Sequence, residues 1–109
     1  MINRRSIQNY ANAVVREFQP ERIVLFGSHP YGAPDGGSDV DLLIIMPHKG
    51  KARDKAAEIR GRLSAPFALD LLVRSPETIR DRIAKEDWFI REIMEKGKTL
   101  YEAPHSRVD

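Results

Sequence analysis

Residues 23–43 read Ile23-Val24-Leu25-Phe26-Gly27-Ser28-His29-Pro30-Tyr31-Gly32-Ala33-Pro34-Asp35-Gly36-Gly37-Ser38-Asp39-Val40-Asp41-Leu42-Leu43. Ile23 to Phe26 is short, apolar and β-branched, the composition of a buried strand. It stops at Gly27-Ser28, where the missing Cβ lets backbone approach a ligand. A loop rich in glycine and proline follows, and a second apolar run begins at Val40. At its mouth stand Asp39 and Asp41. Side chains alternate along a strand, so these two point the same way, roughly 6–7 Å apart. Carboxylates side by side on an apolar strand repel each other and resist burial. A divalent cation bound between them removes that conflict.

The bland meanings of these residues stand beside the chemical one. A Gly-Ser at a strand end is, by itself, more often a turn than a phosphate site. Ser38-Asp39 alone could end a loop through side-chain to backbone hydrogen bonds. Asp41 is harder to dismiss, because it lies inside the apolar run and must face something polar. Asp70 is equally out of place between Leu69 and Leu71, unless it sits on an exposed strand edge.

Outward from this stretch, Ile7, Tyr10, Ala11, Val14, Val15 and Phe18 recur at helical spacing. Asn3 or Ser6 could cap that helix, and Pro20 ends it. The run from Val40 to Met46 is a strand closed by Pro47, and its unbroken Leu42-Leu43-Ile44-Ile45 predicts cover on both faces. Ala52, Ala56, Ile59 and Leu63 mark a second helix, weakened by Gly61 by about 1 kcal/mol. Pro66 opens a third strand, Phe67 to Val73. Ser75-Pro76-Glu77 starts another helix, with Ile79 and Ile83 facing inward. Trp88, Phe89, Ile93 and Met94 predict a last helix that Gly97 stops. Trp88 and Phe89 are read as core rather than a stacking platform. Being adjacent, only one can be fully buried, which leaves the other for a partner chain. Thr99-Leu100-Tyr101 is a short strand or a docking segment, and residues 103–109 read as a frayed tail. The expected fold class is α+β: one domain spanning residues 1–109, a small mixed sheet covered by helices.

Bulk composition narrows the function. The 109 residues include 18 basic and 16 acidic side chains, a net charge of +2 that gives no argument for nucleic-acid binding. The absence of cysteine removes disulfides, thiolate metal sites and a cysteine nucleophile. The N-terminal residues do not read as a signal peptide, and no apolar stretch approaches the ~20 residues of a membrane span. A soluble, cytoplasmic protein is expected. His48 and His105 lack metal-ligand spacing. His29 reads as a solvent-facing loop residue, and Lys49, Lys51 and Arg53 as a solvated face more than a nucleotide-steering patch.

Gly27-Ser28, three residues, Gly32, five residues, then Ser38-Asp39-Val40-Asp41-Leu42 resembles the motif of the DNA polymerase β-like nucleotidyltransferases. The likeness is greatest to their minimal, stand-alone domains. It fixes two glycines, two serines and two aspartates at set spacings, and it calls for a third acid on a later strand, a place that Asp70 fills. The resemblance implies a palm-like mixed sheet and a magnesium-dependent enzyme using two ions. Asp39 and Asp41 would hold both ions. Asp70 would hold the catalytic one and acidify the acceptor hydroxyl or take its proton. Gly27, Ser28 and Ser38 would form the nucleotide and phosphate site. Tyr31 departs from the pattern, standing where many relatives carry arginine.

The resemblance further implies transfer of a nucleoside monophosphate, AMP from ATP, to a hydroxyl with release of pyrophosphate. The chain has no room for template-binding domains, so no template nucleic acid is expected. Stand-alone members often act as antitoxins to HEPN-type ribonuclease toxins, some by adding AMP to the toxin, so a HEPN-type partner is expected. The competing reading is a binding module that neutralises its partner by contact alone. A third, an aminoglycoside-modifying enzyme, lacks the additional substrate domain of such relatives.

Overall fold

The computed structural model describes residues 3–27 and 39–104. The elements run α1 (Arg4–Phe18), β1 (Arg22–Phe26), β2 (Val40–Ile45), α2 (Ala52–Arg62), β3 (Leu69–Arg74), α3 (Pro76–Ala84), α4 (Trp88–Lys96) and β4 (Lys98–Glu102). The four strands form one mixed sheet in the order β3-β2-β1-β4. β1 runs antiparallel to both neighbours, and β2 runs parallel to β3. A parallel pair needs a long crossover, which α2 supplies.

Alternation along the strands divides the core in two. Ile23, Leu25, Leu42, Ile44, Leu71 and Val73 pack on one face against Ile7, Val14 and Ile59 of α1 and α2. Val24, Leu43, Ile45 and Leu72 pack on the other against Ile79, Ile90 and Ile93 of α3 and α4. Helices therefore cover both faces, as the continuous apolar run of β2 requires, and Leu42, Leu43 and Ile44 are all fully buried.

The helix ends follow local chemistry. Asn3 and Ser6 cap α1 together: Ser6 N–H donates to Asn3 Oδ1 at 2.8 Å and Asn3 N–H to Ser6 Oγ at 3.4 Å. Ser75 caps α3, with Pro76 in its first turn, and Gly97 caps the end of α4.

Four expectations need correction. The third strand begins at Leu69, since the ladder starts where Val40 pairs with Leu69. Phe67 instead packs edge-on against Tyr10, ring centroids 6.0 Å apart. Ile83 joins neither core and is 40% exposed, because α3 is buried through its first turn, at Pro76 and Ile79. Trp88 and Phe89 are not core either: both are exposed, and Ile90 and Ile93 carry the burial of α4. Ala103, placed by the sequence in a tail, is 2% exposed and donates its N–H to Glu21 O at 2.8 Å.

Thr99 to Tyr101 lies within β4, which carries one extra residue, Leu100, in a bulge opposite the Ile23–Val24 step. The carbonyl of Leu100 accepts a hydrogen bond from Gln8 Nε2 at 3.2 Å, tying β4 to α1. No helix among the described residues is long and apolar enough to cross a membrane.

Candidate active site

Strand register brings the acids together. Phe26 of β1 is opposite Asp41 of β2, and Asp41 is level with Asp70 of β3. Residues level on adjacent strands point to the same face, with backbones about 4.8 Å apart. The face shared by Asp41 and Asp70 is the one carrying Leu43, Ile45 and Leu72, beneath α3 and α4. It is graded along the strands. The row Phe26, Asp41, Asp70 stands at one end, Val24, Leu43, Leu72 in the apolar middle, and Arg22, Ile45, Arg74 at the other end.

Gly27 completes the acidic end. Its φ is +81°, a conformation open to glycine, and a Cβ there would collide with Asp41 Oδ2. The space a side chain would take is given to the Asp41 carboxylate. Asp39 precedes β2 by one residue and is exposed.

A cleft of about 420 Å³ opens between this end of the sheet and α4, with Asp41 and Asp70 on the sheet side and Trp88, Phe89 and Glu92 on the helix side. Its volume lies within the range of small-ligand sites. Among the described residues, every ionisable one lining it is an acid: Asp41, Asp70 and Glu92. Asp39 is not among the lining residues. A larger groove, about 570 Å³, runs between α2 and β3 beneath Arg53, Arg60 and Arg74. It contains none of the acids singled out by the sequence, so the smaller cleft is the candidate site.

Asp41, Asp70 and Gly27 thus meet at one cleft, and Asp39 flanks it. Ser28 and Ser38 lie outside the described residues, as do His29, Tyr31, Gly32 and His105. His48, Lys49, Lys51 and Arg53 follow the far end of β2, away from the acids. Sequence reasoning missed Glu92, and it misplaced Trp88 and Phe89. The pairs Trp88–Glu92 and Phe89–Ile93, each four residues apart, put these side chains on one flank of α4. The sequence does not disclose that this flank borders Asp41, because that follows from how α4 lies against β1.

The residues present suit a hard divalent cation. Among the described residues, the charged groups lining the cleft are carboxylates, and magnesium is held by one or two carboxylates together with substrate phosphates and water. No group of three acids or histidines among the described residues forms a ready-made metal cage.

In fold, the chain is similar to one from the crystal structure of the toxin–antitoxin MntA–HpeT, a mutant with two aspartates changed to glutamate. The TM-score is 0.51 at 16% identity, over 90% of this chain and 75% of that one. At that identity the likeness speaks for the fold alone. No curated protein matches the sequence. The family model described as the nucleotidyltransferase domain matches residues 7–103, from the first buried residue of α1 to the buried Ala103 beyond β4, and the chain belongs to that family.

Proposed function

We propose that this domain is a magnesium-dependent nucleotidyltransferase that moves AMP from ATP to a hydroxyl of a partner protein, releasing pyrophosphate. The partner in this reading is a HEPN-type toxin, the domain its antitoxin, and the setting the cytoplasm. Residues 1–109 act as one catalytic domain without template nucleic acid. The observation that carries the reading is the level pairing of Asp41 with Asp70 on the wall of a cleft where, among the described residues, the ionisable side chains are all acids. These carboxylates repel a triphosphate unless cations accompany it. Membership of the nucleotidyltransferase family supports the reaction class, and the toxin partner is carried over from the toxin–antitoxin pair in which the similarly folded chain occurs.

Asp39 and Asp41 would hold the cations, and Asp70 would hold the catalytic one. Two magnesium ions bound there would neutralise charge on the phosphates and acidify the acceptor hydroxyl. Gly27 keeps backbone clear of the phosphates, while the Ser28 hydroxyl and N–H, with Ser38, bind them. In transfer, the acceptor oxygen forms a bond to the α-phosphorus and the bond from that phosphorus to the β-phosphate bridge oxygen breaks. The hydroxyl proton passes to Asp70, whose exposure lets it return the proton to solvent.

Contact-only neutralisation is the second reading. The exposed position of Asp39 favours it, since among the described residues Asp41 and Asp70 line the cleft and Asp39 does not. Incubating the purified pair with α-phosphate-labelled ATP and magnesium separates the two. Label on the partner, lost in Asp41→Asn and in Asp70→Asn, supports transfer. A tight complex without label, indifferent to both substitutions, establishes the binding module. Asp70→Asn should impair turnover more than nucleotide binding, and equal loss of both contradicts its role as proton acceptor.

A further inference from the structure

The candidate cleft has two chemically distinct zones, and the acids account for only one. Opposite Asp41 and Asp70 stand two aromatic rings, Trp88 and Phe89, in the first turn of α4. Trp88 is 73% exposed and Phe89 48% exposed, although a domain this small has every reason to bury such side chains. Phe89 is braced edge-on against Phe26, centroids 6.0 Å apart with the rings at 85°, next to Gly27.

The backbone beneath Trp88 is firmly fixed. Asp87 Oδ1 accepts from Phe89 N–H at 3.0 Å and from Ile90 N–H at 3.2 Å. Glu86, before it, adopts a left-handed conformation with φ 60°, uncommon for a residue with a Cβ. A helix start held by a double cap and a constrained turn fixes the backbone that carries the indole, rather than leaving it on a loose loop.

The geometry points to a nucleobase platform: the indole of Trp88 stacks on the base of the nucleotide whose phosphates lie toward Asp41 and Asp70, with Phe89 as the second aromatic wall. This inference rests on the nucleotide reading above and goes beyond it by assigning the base subsite. A ligand with a flat apolar end and an anionic, cation-bound end matches both zones of one cleft. A nucleotide has that form. Stacking on an aromatic ring accepts any base, and the larger face of a purine gains more from it. ATP and GTP are therefore expected to bind better than CTP and UTP.

Trp88 is the only tryptophan in the chain, so intrinsic fluorescence reports on the platform directly. The test titrates the full chain with ATP, and separately with tripolyphosphate, in magnesium, following fluorescence while equilibrium dialysis measures binding. The expected result is saturable quenching by ATP and none by bound tripolyphosphate. Trp88→Ala should weaken ATP binding by roughly fivefold to a hundredfold, the range for losing one base stack, with Trp88→Phe restoring much of it. Circular dichroism should be unchanged in both variants, because the side chain contributes to neither core.

ATP binding without a fluorescence change, or with full affinity in Trp88→Ala, overturns the platform and leaves the nucleotide reading standing. Equal quenching by tripolyphosphate also overturns it, since the signal then follows phosphate alone. Failure of the folded protein to bind ATP overturns the nucleotide reading and the platform together. Loss of a co-purified protein partner in Trp88→Ala, with ATP affinity intact, assigns the indole to that partner instead.

Discussion

Replacing Gly27 by alanine tests whether the strand-end glycine exists for the sake of Asp41, and Gly50 supplies the control. Both have positive φ, +81° and +73°. An alanine Cβ at Gly50 meets nothing within 4 Å, so Gly50→Ala carries only the left-handed backbone cost, about 1–2 kcal/mol. At Gly27 the same cost applies, and the new methyl also collides with Asp41 Oδ2. Turning the carboxylate about Cβ–Cγ moves Oδ2 but leaves the methyl 3.1 Å from Asp41 Cγ, so the Asp41 side chain must also shift away from the position it holds. Overpacking of this kind costs roughly 1–3 kcal/mol. Gly27→Ala should therefore be less stable than Gly50→Ala by that amount, and for a domain of this size each kcal/mol lowers Tm by about 4–8 °C. Parallel thermal melts give the difference, and magnesium-dependent ATP binding should be lost in Gly27→Ala and kept in Gly50→Ala. Equal melting temperatures, with ATP binding retained in both, would refute the close approach of Gly27 to Asp41.

Three further outcomes follow from the packing. Burial raises the Tyr10 phenol above its usual value of 10.0, partly opposed by the Arg60 charge, so the folded chain keeps this proton to higher pH than the unfolded one. Its contribution is complete below pH 10 and falls as pH rises through the folded value; urea midpoints at pH 8 and above pH 10 should show a steeper loss in the parent than in Tyr10→Phe. Gly97→Ala, at an ordinary φ of −72°, should destabilise by about 1–3 kcal/mol in denaturant melts. Its Cβ would stand 2.5 Å from Val24 Cγ1 and 2.6 Å from the Ile93 carbonyl oxygen. Asp87→Ala removes the acceptor of two α4 N–H groups and should cost about 0.5–2 kcal/mol by the same assay.

Much of this architecture was legible because local chemistry agreed with it. The all-apolar run of β2 announced a strand covered on both sides, and Asn3, Ser75 and Gly97 marked helix ends by residue type alone. The likeness read from Gly27, Asp39 and Asp41 led to the right family, and the level register of Asp41 with Asp70 brings together two acids 29 positions apart in the sequence. What failed depended on tertiary placement. Ile83 has the spacing of a buried residue, but α3 is buried only through its first turn, at Pro76 and Ile79. Trp88 has the composition of core, but α4 turns Ile90 and Ile93 inward and leaves the indole over the cleft. Glu92 gave no sign at all, since one acid on an amphipathic helix is ordinary until the helix is known to border two others.

Labelled ATP in equilibrium dialysis, with magnesium titrated in, tests the central claim most directly. The repulsion of a triphosphate by the carboxylates of Asp41, Asp70 and Glu92, which line the cleft, predicts no ATP binding in a chelator, saturable binding with magnesium, and a loss of roughly a hundredfold or more in Asp41→Asn. Equal binding with and without the cation, or full affinity in Asp41→Asn, would contradict it.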